Sequence, residues 1–503
     1  MLGTIYHKIK DHIWMIELLL VICFAIGYFN YQQNISKFLL GTDAYYHIKF
    51  AFLTRTSGII RDFPWAQFSL WKDHFFDKEF LYHFILQFFT FGNLLIGAKM
   101  SNIFFATIVF AVFYMILRKT PVRFPLLYTA LLFSSGGFFL YRVCVTRPQI
   151  LSISLALLTI YFILKRNYWL SFIFSFAYTL AYTGHYVILI YVFIFLITDY
   201  LENRNFDWKI IAFPIAGIIC GWLLHPNFPN NIYGFYIQNV QVLISAWASN
   251  VNLGMGGEFF PMNTRQLIQV NTASLIVLFI AFFLNFFYKF KISFSSKFLF
   301  LLSFFYFAAT LMTKRFAEYW VPLSIWFSAS IISDYLDTID LKELFNEYKL
   351  EFIAFVLLII TSVGVLFVRS NQDLLTQTRG GSLNYINTAV WMYNNIPAKE
   401  VIYTTDWDEA PYLFYINHKN YYMVFLDPNF MYHYDKNLWQ TWHDLNNGKK
   451  SDKEVYPLLK NYFKTKWLFV DNTAYAFRKQ LLGDPKIKLM YNGGDSSVFM
   501  LED

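Results

Sequence analysis

The sequence predicts a polytopic α-helical membrane protein with about eleven transmembrane helices and a large first external loop carrying interfacial helices, followed by a small extracytoplasmic α/β domain. Three observations predict it. Of 503 residues, 57% are hydrophobic and only 15% charged, whereas soluble domains are about a quarter charged. The apolar residues fall in Phe-, Leu- and Ile-rich runs at or just below the roughly 17 to 25 residues that cross a bilayer core. Beyond Ser370 these runs stop and the composition turns polar and mixed.

In chain order, the first span is 13–29. It follows Lys8 and Lys10 and has no small-x-small cleavage site before Tyr28-Phe29-Asn30, so it is expected to be a retained anchor with a cytoplasmic N-terminus. The external loop 30–97 comes next. Its apolar segment 81–96 is expected to be interfacial or re-entrant, because a full span there would put Arg118, Lys119 and Arg123 outside, against the positive-inside rule. Further spans are expected over 100–117, 124–140, 150–164, 169–182, 187–198, 210–224, 273–287, 298–312, 316–332 and 352–368. Splitting 169–198 at Thr183-Gly184-His185 sets the parity of everything downstream.

With that parity, Lys165/Arg166, Arg204/Lys209, Lys289/Lys291/Lys297 and Lys342/Lys349 join Arg118, Lys119 and Arg123 on the cytoplasmic side. Residues 142–147, His185, 225–265, Lys314/Arg315 and everything after 370 lie outside. The chain thus divides into a transmembrane domain, 1–369, and a soluble extracytoplasmic domain, 370–503. In the latter, a helical stretch around Tyr385 to Tyr393 and strand-like runs at 400–403, 467–470 and 497–501 indicate an α/β fold. The expected location is a bacterial inner membrane.

Composition also excludes classes. The net charge of +8 is scattered over loops, with no basic cluster interleaved with a soluble aromatic platform, so no nucleic-acid partner is expected. Cys23, Cys144 and Cys220 form no paired spacing, which argues against both a disulfide framework and a thiolate metal site. No HExxH, GxSxG or phosphate-loop signature is present.

The candidate chemistry gathers outside. Asp43, in Gly41-Thr42-Asp43-Ala44-Tyr45-Tyr46-His47, follows the first span. Thr42-Asp43 fits a helix cap, and Asp43 equally fits a carboxylate that takes a proton from a nucleophile or binds a divalent cation such as Mg or Mn. Asp73 and Asp77, farther along the loop, are candidate second acids, although a solvated charged loop accounts for them as well. Arg142, Arg147, Lys314 and Arg315 sit at external span ends and suit an anionic lipid phosphate, the guanidinium fork matching two oxygens at once. Snorkelling to the headgroups, or an i,i+3 pair of Arg315 with Glu318, would use the same residues. Glu258 lies in a glycine-rich external loop, Gly254-Met255-Gly256-Gly257-Glu258-Phe259-Phe260-Pro261. His185 and His225 are expected as satisfied interfacial histidines.

First span, Asp-x-Tyr-Tyr-His loop, Leu81-Tyr82-His83 helix and multi-span body with an external C-terminal domain together resemble the C-type superfamily of polyprenyl-phosphate-dependent membrane glycosyltransferases, which includes oligosaccharyltransferase catalytic subunits and lipid A aminoarabinose-type transferases. In that superfamily the acid of the first external loop is catalytic, so the resemblance implies this role for Asp43. Thr405-Asp406-Trp407-Asp408-Glu409 is similar in setting to the tryptophan- and aspartate-containing motif with which oligosaccharyltransferases read their acceptor, and the resemblance makes Asp406, Trp407 and Asp408 acceptor-domain candidates. It differs in having one Trp, with Glu409-Ala410-Pro411 where Tyr-Gly would stand. Residues 141–149 likewise lack the acidic pair of those subunits.

The expected activity is transfer of a sugar or oligosaccharide from a polyprenyl-phosphate or -diphosphate carrier to a protein, lipid or glycan acceptor on the non-cytoplasmic face. The expected partners are that lipid-linked donor, the acceptor and membrane lipid, with a divalent cation as the one cofactor considered. The competing classes are a transporter or polymer-export protein, whose spans would carry ionisable residues along a path, and a noncatalytic subunit of a glycosylation complex.

Overall fold

The structure, a computed structural model, describes residues 2–204, 206–241 and 256–502, with side chains from residue 12 onward. Gly254 and Met255 of the glycine-rich loop fall outside the described residues. Two compact units partition the chain. Met1–Lys37, Lys99–Gly221 and Gly256–Gly381 form the first, and Phe38–Ala98, Trp222–Met255 and Ser382–Asp503 form the second.

Each expected span overlaps helical structure, but the span expected at 124–140 is broken into Pro125–Phe133 and Gly137–Cys144. Among the described residues, five helices are long and apolar enough to cross a membrane: His12–Gln33, Leu94–Lys119, Thr183–Asn203, Phe294–Met312 and Lys349–Thr378. Two bent pairs, Pro125–Phe133 with Gly137–Cys144 and Thr264–Val270 with Thr272–Phe287, turn by 83° and 86° and bring the number to seven if each pair is one span. Gln149–Leu164, Tyr168–Ala181 and Lys209–Leu223 are apolar but shorter. The segment 81–96 is not one helix: Phe80–Leu86 tightens into a 3-10 turn at Gln87–Phe89, and Leu94 starts the next long helix.

Burial separates two kinds of helix in the first unit. None of the apolar window of Lys349–Thr378 is buried, and Leu350 and Leu358 are 77% and 62% exposed. Side chains of that kind, ranged continuously along a helix, are stable against hydrocarbon rather than water. Ala317–Leu336 is the opposite, buried from Ala317 to Ile331. Three of its serines are answered within the helix: Ser324, Ser328 and Ser333 donate to the carbonyls of Val321, Ser324 and Ala329 at 2.6–2.8 Å, whereas Trp320 Nε1 and Trp326 Nε1 are buried without a partner.

Glycines set the closest approaches. Gly136, at φ 121°, faces the carbonyl of Val270 so closely that a Cβ would lie 1.7 Å from it, and the 83° bend after Phe133 follows. Gly217 and Gly221, one turn apart on Lys209–Leu223, meet Phe172 O and Thr179 Cβ at 2.5 and 2.7 Å from an added Cβ. This is small-residue packing of membrane helices, in which missing side chains let backbones touch.

The second unit is built on a five-stranded mixed sheet of strands Val401–Tyr403 (β1), Tyr421–Tyr422 (β2), Trp467–Asp471 (β3), Ile487–Asn492 (β4) and Ser496–Leu501 (β5), in the order β2-β1-β3-β5-β4. β1 is parallel to both β2 and β3, whereas β5 is antiparallel to β3 and β4. The runs expected at 400–403, 467–470 and 497–501 become β1, β3 and β5, and the helix expected near Tyr385 is Ile386–Asn395. The first loop extends this sheet. Tyr422 N donates to Trp65 O at 2.7 Å, and Gln67 N and Phe68 N donate to Tyr422 O and Met423 O at 2.9 Å. The exposed edge of β2 is thereby covered by chain from far upstream, which removes a row of unpaired backbone groups.

The glycine packing is testable. Gly217→Leu should destabilise the protein in detergent by about 1–3 kcal/mol through overpacking, whereas Gly364→Leu, where an added Cβ meets nothing within 4 Å, should leave thermal unfolding unchanged. Equal melting temperatures for the two variants would refute the close approach.

Candidate active site

Asp43 is the first residue of the helix Asp43–Ser57, preceded by Thr42, which makes no side-chain cap hydrogen bond. The carboxylate therefore meets the positive end of the helix macrodipole. Gly41, at φ 76°, turns the chain into that helix. The helix is buried from Ala44 to Ala51, so Asp43 is held on a rigid support.

Below it lies a hydrogen-bonded histidine pair that sequence reading passed over. His83 Nδ1 meets Asp77 Oδ1 at 2.8 Å and its Nε2 meets His47 Nδ1 at 2.8 Å. All three are buried. Asp77 is fixed by Asn227 Oδ1, which accepts from its N–H at 3.1 Å, and by His225 Nε2 against its carbonyl at 3.0 Å. His225 is thus satisfied, as expected, and so is His185 Nδ1, 3.0 Å from Tyr182 O. Asp77 is a buried partner of His83, while Asp73 is exposed and ends the short turn Leu70–Lys72. The signal that was available is Glu79-x-x-x-His83, a carboxylate and an imidazole one helical turn apart.

Ligating atoms of His47, Glu79 and His83 lie within 4.8 Å of one another, so the three could hold a metal ion. Glu79 Oε2 is buried without a hydrogen-bond partner, and Asp77 grips His83 through Nδ1 in the manner of a carboxylate that orients a metal-binding imidazole. Two nitrogens and one oxygen suit zinc or manganese better than magnesium, which prefers oxygen alone. Asp43 is not a member of this group.

The first unit gathers the basic residues. Arg142 donates from Nη1 to Glu258 Oε2 at 2.6 Å and from Nε to Glu318 Oε1. Arg147 Nη1 donates to the same Glu258 oxygen at 3.1 Å, and Arg315 Nη1 lies 3.6 Å from Glu258 Oε1. Arg315 also bonds Tyr182 Oη and packs over Phe259 at 5.3 Å. Burial alone would raise the pKa of Glu258, but Arg147, Arg142 and Arg315 hold it well below the usual carboxylate range. Thr313 Oγ1 donates to Glu258 O at 2.9 Å, and Lys314 N donates to Phe260 O at 3.1 Å, so the loop is tied down by backbone as well as charge. The i,i+3 pair allowed by spacing does not form: Glu318 takes Arg142 instead. With Lys314, four cations stand against two carboxylates here.

The third construction lies at the carboxyl ends of the parallel strands β1 and β3. A cavity of about 620 Å³ is lined by Asp406, Trp407, Asp408 and Glu409 after β1, by Asp471 and Tyr475 after β3, and by Trp439, Trp442 and His443 from the helix Lys436–Asn446. Ligands of α/β sheets commonly bind outside the carboxyl ends of strands. Asp408 has its pKa raised to about 7 by burial, then by Asp406 and Asp43. That dependence places the first-loop acid within electrostatic reach of the Trp-Asp segment. Asp408 is nonetheless exposed to water, so crowding by Asp406 and Asp43 matters beside burial in holding its proton.

No protein-family model and no curated protein matches the sequence. Solved structures do match. The oligosaccharyltransferase of Archaeoglobus fulgidus in its apo form superposes with a TM-score of 0.67 at 13% identity, over 93% of this chain and 71% of that one. The same enzyme in complex with an inhibitory peptide and a dolichol-phosphate gives 0.64 at 13% identity, over 95% and 72%. ArnT from Cupriavidus metallidurans bound to undecaprenyl phosphate gives 0.59 at 10% identity, over 96% and 97%. The chain shares the fold of these structures over nearly its whole length.

Asp408 provides a pH test. Its folded pKa of about 7 exceeds the roughly 3.9 of a free aspartate. The folded state therefore holds this proton more tightly, and its contribution to stability is full below about pH 4 and lost as pH rises to about 7. Asp408→Asn should raise the melting temperature above pH 7 and leave it unchanged near pH 4. A parallel pH dependence in wild type and variant would show that Asp408 is not crowded by its neighbours.

Proposed function

We propose that this chain is an integral membrane glycosyltransferase that moves a sugar or oligosaccharide from a polyprenyl-phosphate or -diphosphate carrier to an acceptor on the non-cytoplasmic face. The observation that carries the reading is the convergence of Arg142, Arg147 and Arg315 on a single carboxylate. A seat in which three guanidiniums answer one anionic group suits a phosphate, whose oxygens accept charge-assisted, bidentate hydrogen bonds. Lys314 adds a further cation beside it. The structural neighbours carry dolichol-phosphate and undecaprenyl phosphate, which supports a lipid phosphate as the anion. A lipid-linked donor arrives with its leaving group activated and already in the membrane, so a nucleotide-binding fold is not required.

In this reading residues 1–369 carry the donor-binding machinery and the loop 30–97, and residues 370–503 help select the acceptor through Asp406, Trp407 and Asp408. The N-terminus is cytoplasmic and the C-terminal domain extracytoplasmic. Asp43 takes the proton from the acceptor nucleophile as that nucleophile attacks the anomeric carbon. The bond from that carbon to the phosphate oxygen breaks, and the arginines hold the charge left on the phosphate. Asp77 enters only through His83, and Asp73 keeps no role. Glu258 occupies the anion seat when no phosphate is bound. His47, Glu79 and His83 would hold a metal ion, whose contribution would be to fix the first loop and polarise groups near it.

Asp43→Asn keeps the size of the side chain and its place at the helix N-terminus but removes the base. Transfer from polyprenyl-linked sugar should be abolished in a variant that expresses and unfolds like wild type. Near-normal turnover would make Asp43 structural.

Arg315→Gln and Arg315→Lys separate phosphate binding from anchoring. Charged hydrogen bonds are worth roughly 1.5 to 3 kcal/mol, so Gln should raise the lipid-donor requirement at least tenfold, and Lys, which keeps charge but loses the fork, by less. Glu258→Gln should not reproduce that loss if the guanidinium serves the donor. Unchanged donor dependence of purified Arg315→Gln at subsaturating donor would remove it from the site.

A further inference from the structure

The cavity beyond β1 and β3 has a composition that the proposed transfer reaction does not by itself require. Asp406, Asp408, Glu409 and Asp471 line it, and among the described residues no Lys or Arg does. Two of the acids are already committed within the fold. Glu409 accepts from the backbone N–H of Thr405 at 2.8 Å and from its hydroxyl. Asp471 accepts from Thr473 N and Oγ1 at 2.6 Å and from Tyr385 Oη. Asp406 and Asp408 are exposed and, once ionised, give the cavity negative charge that no described Lys or Arg of its wall offsets.

The remaining walls are aromatic. Trp439, Trp442, His443 and Asn446 fall at i, i+3, i+4 and i+7 of the helix Lys436–Asn446 and so share one face. Trp407 lines the cavity from the loop after β1, and Tyr475 from the start of the helix Tyr475–Gly483 that follows β3. Trp442 spends its indole N–H on Thr404 O at 2.8 Å. Trp439 is different: it is only 3% exposed, lines the same cavity, and its Nε1–H has no hydrogen-bond partner. A buried donor without a partner costs about 1–3 kcal/mol, a cost removed by a ligand that brings an acceptor oxygen.

We infer that this cavity binds a saccharide bearing a protonated amine, with the ammonium against Asp406 and Asp408 and a ring hydroxyl oxygen accepting from Trp439 Nε1. Indole faces attract cations and also pack against the C–H face of a sugar ring. A bare divalent cation would use the carboxylates but leave the aromatic walls without purpose, since hard cations seek six to eight oxygens. A lysine side chain would satisfy the carboxylates but offers no hydroxyl to Trp439. The volume, within the roughly 300–1,000 Å³ of small-molecule sites, holds more than one alkylammonium group. The inference deepens the proposed function by naming the acceptor class, and it rests on that reading only for the ligand's role as acceptor.

Equilibrium binding to the purified full-length protein tests it, followed by tryptophan fluorescence without any donor, so that binding is scored apart from transfer. The glucosamine trisaccharide should quench fluorescence saturably, the N-acetylated trisaccharide should bind at least tenfold more weakly, and trilysine and calcium should not compete. Asp408→Asn should weaken glucosamine binding at least tenfold, and Trp439→Phe, which keeps a ring but loses the N–H, several-fold. Equal affinity for the acetylated sugar, tighter binding of trilysine, displacement by calcium, or an unaffected Asp408→Asn would each overturn the assignment. Binding as described in a protein that transfers nothing would keep the site while removing the glycosyltransferase reading, whereas transfer without amine-selective binding would do the reverse.

Discussion

Arg142 is the constraint around which the first unit is organised. Its side chain is 6% exposed and sits between two carboxylates, Glu258 and Glu318. A buried guanidinium is tolerable only when paired and hydrogen-bonded, and removal of one partner from such a pair commonly costs about 3–5 kcal/mol. Glu318 alone does not suffice, since Arg142 carries several donors in a fixed fork. The segment carrying Glu258 is therefore drawn back onto the helices, where Arg147 and Arg315 meet the same carboxylate. The charge that must be neutralised for folding and the charge available to an anionic ligand belong to the same small group of residues.

The second unit solves a different problem. A two-residue strand such as Tyr421–Tyr422 cannot hold the edge of a sheet unaided. Its backbone groups are completed by Trp65, Gln67 and Phe68, while the indole N–H of Trp65 reaches His418 O at 2.7 Å. This pairing fixes the loop on which Asp43 begins its helix, and the same unit holds Asp408, whose ionisation responds to Asp43. The first loop is thus not merely long; it is half of a domain whose other half lies more than three hundred residues later.

Much of this was legible in the sequence wherever the signal is local. Apolar runs located the helices because burial in hydrocarbon leaves the same mark as burial in protein, and Thr183-Gly184-His185 marked a true break because the helix ends at Ala181. Yet hydropathy does not distinguish a lipid-facing helix from one enclosed by its neighbours, so span number is blurred by buried helices such as Ala317–Leu336. Arg142, Arg147, Arg315 and Glu258 were read as charges on the expected external side, but not as one cluster, because the arginines lie 57 to 116 positions from Glu258. The local alternative, Arg315 with Glu318, lost to a partner 176 residues away. Trp439, Trp442 and His443 carried a readable helical face, and its meaning appeared only with the acids of two other loops beside it.

The helix Lys349–Thr378 has 30 residues, which at 1.5 Å per residue makes about 45 Å, against a hydrocarbon core of roughly 30 Å. Its C-terminal end is pinned: Ser370 Oγ donates to Ser134 O at 2.8 Å and Gln32 Nε2 donates to Asn371 Oδ1 at 2.6 Å, while its apolar window remains unburied. Its apolar part, 352–368, is about 26 Å at that rise and fits the core without a lean, so the polar residues from Arg369 onward extend beyond it. The pins fall on that polar end, so the helix keeps a fixed footing on its neighbours while its apolar length is left to hydrocarbon.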